Sequence, residues 1–170
     1  MAAAPGAMAA TTPALPVAPA AAPLATAAHD CHAAGAQRAR GAVLRRAVLC
    51  LVNQERALNG LNRLSTNRRL ARAAKRHATD MVRRRYFSHY SPSGSDPLKR
   101  ARAAGWRRGV GEALAWACGE QATPRAIVAA WMASASHRAI IMGRRHAVGI
   151  GYKRAPGCSG GRALWVAEVG

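Results

Sequence analysis

The sequence predicts an α/β sandwich in which helices pack against a small, mainly antiparallel sheet. Apolar residues recur at helical spacing through residues 40–84, whereas the short apolar runs that are typical of strands lie after residue 110. Helices are therefore predicted before and after the first strand, without the strict strand–helix alternation of a parallel sheet. Such an order is typical of layered folds whose sheet is antiparallel.

The first two helices are predicted from periodicity and from signals at their ends. The first covers residues 40–59, and Gly60 follows it as a natural stop. The second runs from residue 66 to about residue 84, with Ser65 or Thr66 as its N-terminal cap.

Two later helices are predicted from a shared start signal, a capping side chain followed by proline. Asp96-Pro97 begins a short helix that ends at Gly105, and Thr123-Pro124 begins another. The apolar runs after residue 110 predict three strands, and the last two are linked by a turn rich in glycine, proline and serine. The predicted strands cover residues 111–117, 147–153 and 162–169.

The chain is strongly basic. This charge favours anionic partners but does not distinguish one class of anion from another. The 170 residues contain 26 Lys and Arg, of which 23 are Arg, against 7 acidic residues, for a net charge of +19. Nucleic acid, acidic cell-wall polymers and anionic lipid headgroups would all be attracted. Aromatic residues make up only 5% of the chain and no nucleic-acid-reading motif is present, so specific nucleic-acid binding is not expected. No uninterrupted apolar run is long enough to predict a membrane span.

The cysteines Cys31, Cys50, Cys118 and Cys158 are widely and unevenly spaced, without the paired spacing of a zinc or dithiol motif. Their even number predicts two disulfides in an exported domain. The order of the elements favours Cys31–Cys50 and Cys118–Cys158. The alternative is four reduced, buried thiols in a cytosolic protein.

The N-terminal residues 1–30 differ in composition from the rest of the chain. They are rich in alanine and proline, and Ala25-Thr26-Ala27-Ala28 has the small residues of a signal cleavage site. Prolines interrupt the apolar run, and no Lys or Arg precedes it, so the segment is predicted to be either signal-like or disordered. Residues 31–170 are predicted to form one domain, located outside the cell or in the cell envelope.

Three short motifs follow one another in residues 87–92 (FSHYSP), 110–115 (VGEALA) and 131–138 (WMASASHR). In order and spacing they resemble the CAP superfamily of cysteine-rich secretory, antigen 5 and pathogenesis-related proteins, in its bacterial extracellular form (the SCP-like domain). The resemblance covers residues 31–170, and it implies a three-layer αβα sandwich with a cleft that holds two histidines and a glutamate. Carried over by motif, these residues are His89, Glu112 and His137.

The resemblance also implies what the cleft lacks. The second glutamate of the eukaryotic members falls at Ser134, and two asparagines of the bacterial motifs are replaced by Ala113 and Ile140. Neutral imidazoles and one carboxylate are zinc-type ligands, so His89, Glu112 and His137 form a candidate site for a divalent cation such as zinc. The alternative is that the two histidines only brace Glu112.

The predicted function is that of an exported, monomeric CAP module that binds a lipid, a sterol-like molecule or an anionic cell-envelope polymer through this cleft. A divalent cation such as zinc is the one cofactor considered. No catalytic residue is assigned, because no further carboxylate is placed as a general base and no H-E-x-x-H motif is present. Two alternatives remain: a metal-dependent hydrolase using His89, Glu112 and His137, and a basic nucleic-acid-binding protein. His77 is predicted to be a core histidine, and the four tryptophans are predicted to be packing anchors: Trp106, Trp116, Trp131 and Trp165.

Overall fold

The computed structural model describes residues 31–158 and 160–170. Within these residues the chain forms five α-helices, one four-stranded sheet and a short 3-10 helix at Gly119–Gln121. In chain order the elements are α1 (Gly41–Leu58), β1 (Ser65–Thr66), α2 (Arg68–Arg84), α3 (Pro97–Ala103), β2 (Gly111–Cys118), α4 (Pro124–Ala133), α5 (Ala135–Met142), β3 (Ala147–Ala155) and β4 (Arg162–Val169). The predicted signal-like or disordered segment, residues 1–30, lies outside the described residues.

The sheet has the strand order β1-β3-β4-β2. Its only parallel pairing within the described residues is the short one between β1 and β3, while β3 with β4 and β4 with β2 are antiparallel. The prediction of a mainly antiparallel sheet is therefore confirmed. In the register of β2 and β4, Glu112 lies directly opposite Glu168.

Helices cover both faces of this sheet, which confirms the predicted three-layer αβα sandwich. Helices α1, α4 and α5 cover one face, and α2 and α3 cover the other. Leu114, Leu164 and Val166 of the sheet pack against α2. Because side chains alternate along a strand, Glu112 and Glu168 point to the same α2/α3 face as these residues.

Helix α2 lies very close to β3 because two glycines leave room for its backbone. A Cβ atom at Gly149 would overlap the backbone of Leu70 and Ala71, and one at Gly151 would overlap the carbonyl of Ala74. This close contact places α2, and the loop that follows it, over the middle of the sheet.

The predicted starts of α3 and α4 are confirmed. The side chain of Asp96 accepts a hydrogen bond from the backbone nitrogen of Lys99, and that of Thr123 accepts one from Ala126. In both helices proline stands in the first turn, where its missing N–H costs no hydrogen bond.

The predicted start of α2 is wrong by two residues. Ser65 and Thr66 form β1, and the cap is Asn67, whose Oδ1 atom accepts hydrogen bonds from the backbone nitrogens of Arg69 and Leu70. A strand of two residues carries no periodicity of its own, so the sequence pattern could not reveal β1.

Both predicted disulfides are present. Cys31–Cys50 ties the segment before α1 to that helix, and Cys118–Cys158 ties the end of β2 to the connection between β3 and β4. In the described part of the chain, no helix is long and apolar enough to cross a membrane.

Candidate functional site

The candidate site is built around the carboxylate of Glu112, near the start of β2. Only 4% of Glu112 is exposed. Its Oε1 atom lies 2.8 Å from Nδ1 of His89, and its Oε2 atom accepts a hydrogen bond of 2.6 Å from Nη2 of Arg100. Nε2 of His77 lies 3.8 Å from the same Oε2. One buried carboxylate thus joins side chains from α2, from the loop that follows α2, and from α3.

Arg100 supplies the positive charge that faces Glu112. Its Nη1 atom also donates hydrogen bonds to two loop carbonyls, that of His89 at 2.9 Å and that of Ser95 at 2.7 Å. Its Nε atom lies 3.9 Å from Oε1 of Glu168. The guanidinium, with its five donors, therefore holds the loop between α2 and α3 against strands β2 and β4.

The two carboxyl groups are in opposite protonation states at neutral pH. Burial alone would raise the pKa of Glu112, but the hydrogen bond from His89 and the charge of Arg100 outweigh burial and hold the pKa below its usual value. Burial and the neighbouring charge of Glu112 raise the pKa of Glu168 to about 9. Glu168 is fully buried, and neither of its oxygens has a hydrogen-bond partner among the described residues. Glu112 is therefore ionised and Glu168 protonated, so Arg100 balances one negative charge.

His77 and His89 approach Glu112 in different ways. His77 is buried, as predicted, and its Nε2–H donates a hydrogen bond of 3.0 Å to the carbonyl of Ser88. Burial lowers the pKa of His77 despite the nearby carboxylate, so its ring is neutral at neutral pH. The side chain of His89 is 45% exposed, and because its Nδ1 faces Glu112, its Nε2 is the nitrogen left for other partners. A carboxylate orients a base or a metal ligand in this way.

His137 approaches from the opposite helical layer. It lies on α5, which starts after a break at Ser134 and packs against β2, one of the two edge strands of the sheet. His137 is partly buried, and burial, followed by the charge of His89, lowers its pKa.

Only some of the side chains predicted to bind a divalent cation such as zinc have ligand atoms that are free of hydrogen bonds within the protein. Both oxygens of Glu112 are bonded within the protein, which leaves Nε2 of His89 and the ring of His137 as donors. Across residues 31–158 and 160–170, no group of three or more His, Cys, Asp or Glu side chains is placed to share a metal ion. The metal set of His89, Glu112 and His137 stays a prediction, with Glu112 in position to orient His89.

An open, basic groove of about 700 Å³ adjoins this cluster between α2 and the loop that precedes α3. His77 and Arg100 connect the groove to Glu112, and hydroxyl groups line its loop side. Its one acidic residue among those described, Asp80, already accepts a 2.7 Å hydrogen bond from Tyr86 and lies within 3.9 Å of Arg83 and Arg84. The basic lining residues are Lys75, Arg76, Arg83, Arg84 and Arg100, and the hydroxyl-bearing ones are Thr79, Ser91, Ser93 and Ser95.

Sequence reasoning missed Arg100 and Glu168, and it assigned His77 to the core alone. Glu168, which the sequence analysis did not single out, lies opposite Glu112 in the sheet. A carboxylate within an otherwise apolar terminal strand was the signal that could have identified it, since buried acids are rarely tolerated without a role.

One tryptophan prediction is also wrong. Trp106, Trp131 and Trp165 are buried, but Trp116 is 49% exposed and its ring lies under the guanidinium of Arg162 at 4.8 Å. Together with Phe87 it borders a second groove, of about 440 Å³, on the α2 side of the sheet.

Fold and sequence together define the class of protein. The model of the cysteine-rich secretory protein family (CAP) matches residues 49–169, and the chain belongs to this family. The protein YkwD of Bacillus subtilis (strain 168) is 34% identical over 107 residues, which are 62% of this chain and 40% of YkwD. The chain therefore spans less than half the length of this curated relative.

Two solved structures share the fold. An extracellular protein containing an SCP domain, from Bacillus anthracis str. Ames, superposes with a TM-score of 0.62 at 19% identity, over 78% of this chain and 44% of that protein. An outer surface protein of Borrelia burgdorferi superposes with a TM-score of 0.57 at 21% identity, over 72% of this chain and 88% of that protein. These structural relatives are extracellular or surface proteins, which agrees with the disulfides of this chain.

Proposed function

We propose that this protein is an exported, non-enzymatic binding module that captures an anionic ligand of the cell envelope in the groove beside the His/Glu cluster. The observation that carries the proposal is the lining of that groove, in which five basic residues and four hydroxyl-bearing residues face one acid that is already paired. Export is supported by the two disulfides, which persist in oxidising compartments.

The cluster beneath the groove supports binding more than catalysis. The ionised carboxylate, Glu112, is held by His89 and Arg100, and the second carboxyl group is protonated and buried. Neither is free to act as a general base on a substrate in the groove. The cluster instead holds the loop that forms one wall of the groove.

The binding proposal is tested with a short glycerol phosphate oligomer and two variants that each remove two positive charges. Arg83→Gln with Arg84→Gln alters the groove, and Arg125→Gln with Arg138→Gln alters exposed positions on α4 and α5, in the opposite helical layer. Calorimetry should show weaker binding by the groove variant and nearly unchanged binding by the control. Equal losses in both variants would show that only net charge matters and would overturn the proposal.

A lipid or sterol-like ligand is the second candidate, and the second groove favours it. Its apolar lining includes Met81, Phe87 and Trp116, of which the two aromatic residues are about half exposed. Binding to neutral vesicles that contain sterol, lost in Phe87→Ser but kept in the variant with Arg83→Gln and Arg84→Gln, would support this candidate over the anionic one.

The hydrolase alternative is tested through the metal. His89→Ala with His137→Ala should abolish any zinc uptake measured by calorimetry while leaving the melting transition cooperative. Turnover of an ester or peptide substrate that depends on zinc and is lost in this variant would establish the enzyme instead of the binding module.

A further inference from the structure

The basic lining of the groove continues along the whole exposed side of α2. Half of the 26 Lys and Arg residues lie between residues 68 and 108. The helices α2 and α3 carry ten Lys and Arg residues, whereas the three helices of the opposite layer carry five, namely Arg45, Arg46, Arg56, Arg125 and Arg138. The positive charge is therefore concentrated on the α2/α3 side of the molecule.

Five basic residues of α2 form one straight row. At 100° per residue they lie within an arc of about 100°, and over the 15 residue steps of the row they span about 22 Å of helix length. Successive members four residues apart are separated by about 6 Å along the axis. We call the following residues the α2 cationic row: Arg68, Arg72, Lys75, Arg76 and Arg83.

The row is continuous with the groove. A shallow depression of about 580 Å³ is lined by Arg68, Arg72, Lys75 and Arg76, and the last two also line the groove. Within the described part of the chain, Arg68, Lys75 and Arg76 make no side-chain hydrogen bond or ion pair, whereas Arg72 donates to the carbonyl of Ala104. Most of the row is therefore available to an external anion.

From this row we infer that the ligand is a linear phosphodiester-linked polymer of the cell envelope that lies along α2, with one end in the groove. The inference rests on the proposed function and extends it from a single anionic group to a chain. Guanidinium groups pair with phosphate oxygens in a two-pronged geometry, and serine hydroxyls donate to the same oxygens. A polymer with one negative charge about every 6 Å would meet Arg68, Arg72 and Arg76 in turn.

A membrane surface fits this face less well than a chain. Helices that lie on membranes insert an apolar face, but the apolar face of α2 is buried against the sheet, with Leu70, Ala74 and Met81 almost fully covered. Along the row the exposed side chains are charged or polar, and the exposed aromatic residues Phe87 and Trp116 lie outside it. Nucleic acid fits less well too, because no aromatic side chain stands in the row for base stacking, and the disulfides indicate an oxidising compartment.

The test uses glycerol phosphate oligomers, short and long, with three variants that each remove two charges. Arg68→Gln with Arg72→Gln alters the far end of the row, Arg83→Gln with Arg84→Gln alters the groove, and Arg125→Gln with Arg138→Gln is the control.

The affinity for the long oligomer should fall roughly fivefold for each charge removed from the row or the groove. In the control variant this affinity should be nearly that of the wild type. The short oligomer should lose affinity only in the groove variant. For the long oligomer, the slope of the logarithm of the binding constant against the logarithm of the salt concentration should become shallower in the far-end variant. The expected change is roughly 0.7 per lost phosphate contact.

Three results would overturn the inference. If the far-end variant binds the long oligomer as the wild type does, the ligand is a short anion and only the proposed groove remains. If all three variants lose affinity equally, the net charge of the molecule is responsible, and both proposals fail. If an oligothymidylate of equal phosphate number or phosphatidylglycerol vesicles bind more tightly than the long oligomer at physiological salt, the ligand belongs to another class. Thermal melts of each variant separate lost binding from lost folding.

Discussion

Glu168 carries a protonated carboxyl group in the interior of the molecule, and this state makes stability depend on pH. Its folded pKa is about 9, well above the ordinary value of 4.5. The unfolded chain therefore releases this proton at lower pH than the folded chain does. The contribution to stability is complete below about pH 4.5 and is lost progressively as the pH rises towards 9.

Glu168→Gln should remove this pH dependence, because glutamine keeps the shape of the neutral acid and does not ionise. The melting temperature of the variant should exceed that of the wild type at about pH 8, and the difference should shrink towards about pH 5. Thermal melts across this range check the prediction. A difference that stays constant with pH would show that Glu168 is already ionised in the folded protein.

Glu112 and Glu168 compete for Arg100, so their substitutions should not be additive. In Glu112→Gln the repulsive neighbour of Glu168 is gone, the pKa of Glu168 falls, and its carboxylate can then face Arg100 across the present 3.9 Å. In the double variant with Glu168→Gln, Arg100 keeps its charge with no carboxylate beside it in the cluster, which costs about 3–5 kcal/mol.

Urea unfolding of the single and double variants at neutral pH measures this coupling. The double variant should be less stable than the sum of the single effects predicts, by about 1–3 kcal/mol. Simple additivity would mean that Glu168 cannot replace Glu112 as the partner of Arg100.

At the scale of elements, the contact between α2 and β3 positions both the His/Glu cluster and the α2 cationic row. Gly151→Ala should destabilise the fold by about 3 kcal/mol or more, because its methyl group would overlap the carbonyl of Ala74 and the helix would have to move. Gly35→Ala is the matched control, since a Cβ atom there meets no atom within 4 Å. Urea unfolding of both variants checks the difference, and equal stability of the two would contradict the close packing of α2 on β3.

At the scale of the whole molecule, the disulfides link segments that the sheet and helices leave separate. Cys31–Cys50 and Cys118–Cys158 close loops with sequence separations of 19 and 40 residues. Each should contribute about 3–4 kcal/mol by restricting the unfolded chain. Replacing either pair with serine should therefore lower the urea midpoint.

Mass spectrometry of the exported protein without reductant should detect no free thiol and should recover both linked peptides. Four alkylatable cysteines in the native protein would contradict the pairing and the assignment to an oxidising compartment.

The sequence alone determined the features that depend on neighbouring residues. The starts of α3 and α4 were predicted because a cap and a proline act within one turn, as at Asp96 and Thr123. The strand of residues 162–169 was predicted from its apolar run, and its bounds are confirmed. The motifs around His89, Glu112 and His137 identified the family, because the order and spacing of motifs can be read directly from one sequence.

Only the tertiary structure decided which residues share the site. Glu168 lies beside Glu112 through strand register, Arg100 reaches both carboxyl groups from α3, and β1 exists only through its pairing with β3. These relations join residues that are far apart in the chain, and no local propensity encodes them. The protonation states follow for the same reason, since the burial and neighbouring charge that raise the pKa of Glu168 arise only when the sheet and helices have packed together.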